Sequence, residues 1–199
     1  MEYQQDDTLL KVRSSQGILA SAFRLYTRSF GQMLKASWIH LLDTALVTTA
    51  AGMLVVYSLY LMVPLVAVAV ALELVLWLMV TRWLTKRPLR KLFSYAKRHW
   101  LLLTGIVIGG WLALLPVCGL VSLPLIVLTL AEWESENSVM QGDTVSMPSY
   151  IPYLSAVVWF VTACLQILIR LFIAYVAYYA WGSAETRQRE REQQKMTIA

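Results

Sequence analysis

Long apolar runs alternate with short polar ones along this chain, and the length of each run sets the elements it predicts. Residues 44–81 carry one ionisable acid or base, Glu73, and residues 99–131 carry no Asp, Glu, Lys or Arg. A helix rises about 1.5 Å per residue and a hydrocarbon core is about 30 Å thick, so one span takes roughly 20 apolar residues. The first run is too long for one span and suits two, near 38–60 and 64–82, with the reversal between Tyr57 and Pro64. Pro64 has no amide hydrogen and fits the first turn of a new helix. The second run predicts a helix over residues 99–115, after which Pro116, Gly119 and Pro124 interrupt the pattern. Three readings of 117–131 stay open: it finishes the crossing after a kink, lies along the outer interface, or re-enters under protein cover. The last run begins after Ser149-Tyr150-Ile151-Pro152 and reads as one long tilted helix to Trp181.

Two stretches have helical periodicity with a basic face. In 18–35, Leu19, Phe23, Tyr26, Phe30 and Met33 recur at three- and four-residue steps, while Arg24, Arg28 and Lys35 fall on another face. In 88–100, Leu89, Leu92, Phe93, Ala96 and Trp100 form the apolar stripe, and Arg90, Lys91, Lys97 and Arg98 surround it. Both predict amphipathic helices lying in a membrane interface, their cations turned to anionic headgroups. Each directly precedes a span, with Trp38 and Trp100 in corresponding places. The chain therefore reads as a weak parallel two-fold repeat, with 116–150 inserted in the second copy.

Composition sharpens this picture. Hydrophobic residues make up 58% of the chain and charged ones 15%, against roughly 45–50% and 25% in soluble domains. A soluble globule, a disordered chain and a disulfide scaffold are all excluded, the last by a count of two Cys. The formal net charge is +5, a value also met in nucleic-acid binders, but the distribution points elsewhere. Five basic residues lie in 1–35, seven in 82–98 and four in 187–195, leaving Arg170 alone between the last two groups. Basic loops alternating with uncharged spans orient a chain in a bilayer, and no nucleic-acid partner is expected.

The same rule fixes sidedness. Residues 132–149 carry Glu132, Glu134, Glu136 and Asp143 but no Lys or Arg, so this segment is expected outside and the basic regions flanking it inside. An odd number of crossings must then separate residue 98 from residue 132. The expectation is an all-α, polytopic transmembrane bundle of four spans with two interfacial amphipathic helices and both termini cytoplasmic. Trp38, Trp83, Trp100 and Trp181 would mark the inner headgroup level and Trp133 the outer. A polar tail (1–17), a single transmembrane domain (18–184) and a charged tail (185–199) complete the organisation. The first 17 residues lack the apolar core of a cleavable signal, so the first span is expected to direct insertion.

Charges inside the spans are the sharpest chemical signal, since each costs at least about 2.5–3.5 kcal/mol at the bilayer centre without a partner. Counted along ideal helices from the inner ends, Glu73 lies roughly 13 Å deep and Arg170 roughly 16 Å, close enough in depth to pair. Such a pair serves either as a clamp between helices or as part of an ion or substrate path. Asp43 lies shallower, roughly 7 Å beyond Trp38, with His40 three residues before it and able to bond it. Cys118 and Cys164 read as small apolar fillers. No CxxC, HExxH, GxSxG, phosphate-binding loop or dinucleotide fingerprint occurs. No metal or cofactor is expected, and the acidic outer segment reads as a solvated loop.

The sequence Phe23-Arg24-x-Tyr26-x-Arg28-x-Phe30, leading through Lys35 and Trp38 into a span, resembles multi-pass bacterial inner-membrane families of uncharacterised role. These include the membrane domains attached to some glycerophosphodiester phosphodiesterases. The resemblance covers mainly the first 60 residues and implies a bacterial inner-membrane setting. It supplies no catalytic residue, and the chain has no room for a phosphodiesterase domain.

These features lead first to a non-enzymatic accessory or assembly protein that binds anionic lipid or a protein partner, with self-association as a further possibility. The alternative is a small transporter or channel subunit, oligomeric because four spans enclose little space, with Asp43, Glu73 and Arg170 lining a polar path. An enzyme would need a nucleophile, a metal cluster or an acid–base pair, and none assembles from this sequence.

Overall fold

The computed structural model describes residues 13–57, 59–85, 100–140, 148 and 150–198. Among these it is all-helical, with four helices and no strand: α1 (Ser15–Tyr57), α2 (Leu59–Thr85), α3 (Trp100–Met140) and α4 (Ile151–Ile198). Three stretches are long and apolar enough to cross a membrane: Met62–Thr85, Thr104–Ser135 and Ile151–Arg187. The predicted first span, 38–60, is not among these three, and it reaches residue 58, which lies outside the described residues.

Helix boundaries differ from the expected ones along all four helices. Residues 18–35 are not a separate element: α1 runs without a break from Ser15 into the predicted span, 43 residues or about 64 Å. No Pro or Gly pair stands between Lys35 and Trp38 to break it. The helix that follows, α2, starts at Leu59, five residues before Pro64. A proline so near the start of a helix removes only one early hydrogen bond. Segment 117–131 is helical and continuous with 100–116, despite Pro116 and Pro124. The same helix continues to Met140, so Glu132, Glu134 and Glu136 are helical rather than in a loop. Likewise α4 continues past Trp181 through the charged tail. Most of the second amphipathic stretch, 86–99, lies outside the described residues; Trp100 opens α3.

Local chemistry sets the helix starts. The Ser14 hydroxyl accepts a hydrogen bond from the Gly17 amide (3.2 Å), capping α1. Pro152 sits in the first turn of α4, where its missing N–H costs nothing. Along the helices, hydroxyls donate to the carbonyl four residues back, as Thr44 does to His40 (2.6 Å), Thr48 to Thr44 (2.7 Å) and Thr49 to Ala45 (2.8 Å). Polar side chains satisfied within their own helix need no water.

The chain divides into two compact units. The first comprises residues 1–36, 78–112 and 171–199. In it the start of α1 lies antiparallel to the end of α4. Tyr26 makes edge-to-face contacts with Phe172 (5.8 Å) and Tyr175 (5.1 Å), and Arg13 with Ser183 closes the far end through a 3.1 Å amide-to-hydroxyl hydrogen bond. The buried positions on α1 here are Ala22, Ser29 and Met33. Leu19 and Phe23 remain exposed, so the packing face is rotated from the predicted stripe. The second unit comprises residues 37–77 and 113–170. Its α1 segment buries Leu41, Thr44, Ala45, Thr49 and Ala51. Gly52 faces Trp159 so closely that a Cβ there would run into the indole ring.

Much of the apolar surface is not buried by the chain itself. In the most apolar window of Thr104–Ser135 only 6% is buried. A surface this apolar and this uncovered is stable in contact with lipid rather than water.

Candidate functional site

The second unit holds a polar bridge across three helices, built on the long side chain of Arg170 in α4. Its Nη1 donates to Glu73 Oε2 of α2 at 2.8 Å, a charge-assisted bond of good length. Its Nε donates to the Gln166 carbonyl (3.2 Å), and its Nη2 reaches Gln166 Oε1 at 3.4 Å. Gln166, one turn before Arg170, donates its amide to the Ser122 hydroxyl of α3 at 2.6 Å, and Ser122 donates to the Cys118 carbonyl at 2.7 Å. The side chains of Arg170 and Glu73 keep 14% and 20% of their surface. A guanidinium offers five N–H donors in a fixed fork. Here that fork is turned onto the carboxylate and the glutamine of its own chain.

Glu73 and Arg170 thus meet, as their similar depths along the two helices led us to expect. Gln166 and Ser122 were not singled out in the sequence, although a Gln inside an apolar run, one turn from an Arg, was the available signal. Asp43 and His40 are not joined to this bridge. Asp43 is exposed and His40 half-buried, and among the described residues no hydrogen bond or ion pair links them to each other or to Glu73. Cys118 and Cys164 are free thiols, both half-buried. Among the described residues no group of three His, Cys, Asp or Glu is placed to hold a metal.

A second cluster lies in the first unit, where aromatic rings and arginines meet. Arg13 lies over the Tyr179 ring, 4.9 Å from its centroid, a cation–π arrangement. Arg187 donates to the Arg13 carbonyl (3.2 Å), tying the tail of α4 to the start of α1. The hydroxyls of Ser29 and Tyr175 share a buried 3.1 Å hydrogen bond. Burial first, and the neighbouring Tyr175 second, push the Tyr26 hydroxyl up to about 12. It stays protonated at any physiological pH, so this ring cluster packs as a neutral body. Arg24, Arg28 and Lys35 are exposed along α1. Arg90, Lys91, Lys97 and Arg98 lie outside the described residues.

Charge is divided unevenly between the sequence segments of the two units. Sixteen of the seventeen Lys and Arg fall in the segments of the first, with six of the twelve carboxylates; the second has only Arg170 and the other six carboxylates. No family model, curated protein or solved structure matches the chain.

Proposed function

We propose that the protein is a bacterial inner-membrane protein of four crossings, both termini cytoplasmic, acting as a non-catalytic accessory or assembly subunit that engages anionic lipid and a protein partner. The observation that carries this reading is the closure of the Glu73–Arg170–Gln166–Ser122 bridge on itself. A charged pair bonded to its own helices and to each other behaves as an interhelical clamp, whereas a conducting path needs groups open to water or cargo. Three helices meet the length and composition needed to span. Residues 44–57 of α1 add a fourth uncharged stretch whose threonine hydroxyls are satisfied internally. The Lys and Arg distribution supports the inward termini, and the exposed Arg24, Arg28 and Lys35 supply the lipid-facing cations. The likeness of residues 23–38 to multi-pass families supports the bacterial setting.

Reconstitution into vesicles with and without anionic lipid tests the function. The account expects ion and proton leak at the level of protein-free vesicles, together with retention of anionic over zwitterionic lipid by the purified chain. Flux above background that disappears in Glu73→Gln would overturn the accessory reading in favour of a transporter or channel.

A further inference from the structure

The unexplained charge in this molecule is Asp43. It sits on α1 five residues past Trp38, which is about 7 Å along the helix, and its side chain points away from the packed face. Leu41, Thr44 and Ala45 on either side of it are buried. Ile39 is 54% exposed and Leu46 58% exposed, and with Asp43 and the exposed Ala50 they recur at four, three and four residues. That spacing makes one continuous face of a helix. It is apolar except for one carboxylate, with a small residue at one end where another backbone can approach closely. Lipid can cover Ile39, Leu46 and Ala50 but cannot solvate an ionised Asp43.

Among the described residues no counter-charge meets Asp43. Between residues 36 and 81, and again between 99 and 181, the only Lys or Arg is Arg170, and it is held by Glu73 and Gln166. A second copy would present the same carboxylate and the same engaged arginine, so self-association through this face would set Asp43 against Asp43. Charge complementarity instead selects a different chain. We infer that the Ile39–Asp43–Leu46–Ala50 face of α1 is a docking surface for the transmembrane helix of a partner protein carrying a Lys or Arg about one and a half turns from its cytoplasmic end. This rests on the four-crossing, partner-binding reading above and names the chemistry of the partner.

The test uses the full chain in vesicles with defined probes: fluorescently labelled Leu-rich spanning peptides with no charge, with one Arg near the cytoplasmic end, or with that Arg near the opposite end. Energy transfer from a donor dye on the chain reports binding. The expected result is association of the inner-Arg peptide about tenfold tighter than the uncharged one, reduced to the uncharged level by Asp43→Asn and unaffected by Lys35→Gln. Equal binding of the inner-Arg and uncharged peptides overturns the docking surface, as does a tenfold preference that survives Asp43→Asn. Preference for the outer-Arg peptide, lost in Asp43→Asn, means instead that the orientation underlying the proposed function is wrong. Asp43-dependent energy transfer between copies of the chain itself would replace the foreign partner with a homo-oligomer and also overturn the inference. Thermal melting of Asp43→Asn alongside these measurements distinguishes lost binding from lost fold. An exposed position predicts an unchanged midpoint.

Discussion

Arg170→Leu alone will destabilise the folded chain far more than Arg170→Leu combined with Glu73→Leu. The single change leaves the Glu73 carboxylate mostly buried with its cation gone, and breaking such a pair from one side costs about 3–5 kcal/mol. The lower end of that range applies here, because Glu73 keeps a fifth of its side-chain surface and can take up a proton. Removing both partners leaves an apolar contact of similar volume, which is close to neutral in many proteins. One polar debt persists in the double variant, since Gln166 Oε1 loses the Arg170 donor while Gln166 still donates to Ser122. A residual loss of about 1 kcal/mol follows from a single hydrogen bond. Thermal or denaturant unfolding in a mild detergent reads both variants. Equal midpoints for the single and double changes would remove the clamp from the account.

The second large effect is at Gly52. A Cβ at this position collides with the ring of Trp159, three of whose carbons lie where the methyl group would go. Gly52→Ala must move an indole in a packed interface and is expected to lose about 1–3 kcal/mol. This occurs even though Ala is intrinsically the better helix former by about 1 kcal/mol. Shrinking the opposing side chain isolates the cause. In a Trp159→Leu background, Gly52→Ala should become neutral or stabilising, because only its helix propensity remains. An equal loss in both backgrounds would mean that the glycine serves something other than close approach. Gly105, Gly109 and Gly119 meet no neighbouring atom, so alanine there should be tolerated.

Much of this was legible in the sequence, and its failures have physical reasons. Run length and the scarcity of charges within residues 44–81, 99–131 and 150–181 were enough for an all-helical chain with spanning helices. Depth counting along α2 and α4 was enough to pair Glu73 with Arg170, because both helices are regular and the count is linear. Helix ends were poorly legible. The pattern around Lys35 and Trp38 changes from amphipathic to apolar, which marks a change of environment, and a helix can pass through such a change unbroken. Pro116 and Pro124 were overread as interruptions for a related reason: helix packing and local adjustment can satisfy the carbonyls that a proline frees. The face of α1 that packs shares Met33 with the predicted stripe but adds the small Ala22 and the polar Ser29, which a search for the greasiest stripe passes over, while Leu19 and Phe23 in that stripe stay exposed. Asp43 shows the opposite weakness. Sequence located it and paired it with His40 by spacing, but only the fold reveals that it faces outward and unbonded.

Cysteine labelling in intact cells tests the central claim most directly. With Cys118 and Cys164 replaced by Ala, Met140→Cys and Arg187→Cys place single thiols at the end of α3 and in the α4 tail, both exposed positions. A maleimide that cannot cross membranes should modify the thiol at 140 in intact cells and reach the one at 187 only after the membrane is opened. Protection of 140 in intact cells, or labelling of 187 before the membrane is opened, would contradict a bundle of four crossings with both ends inside.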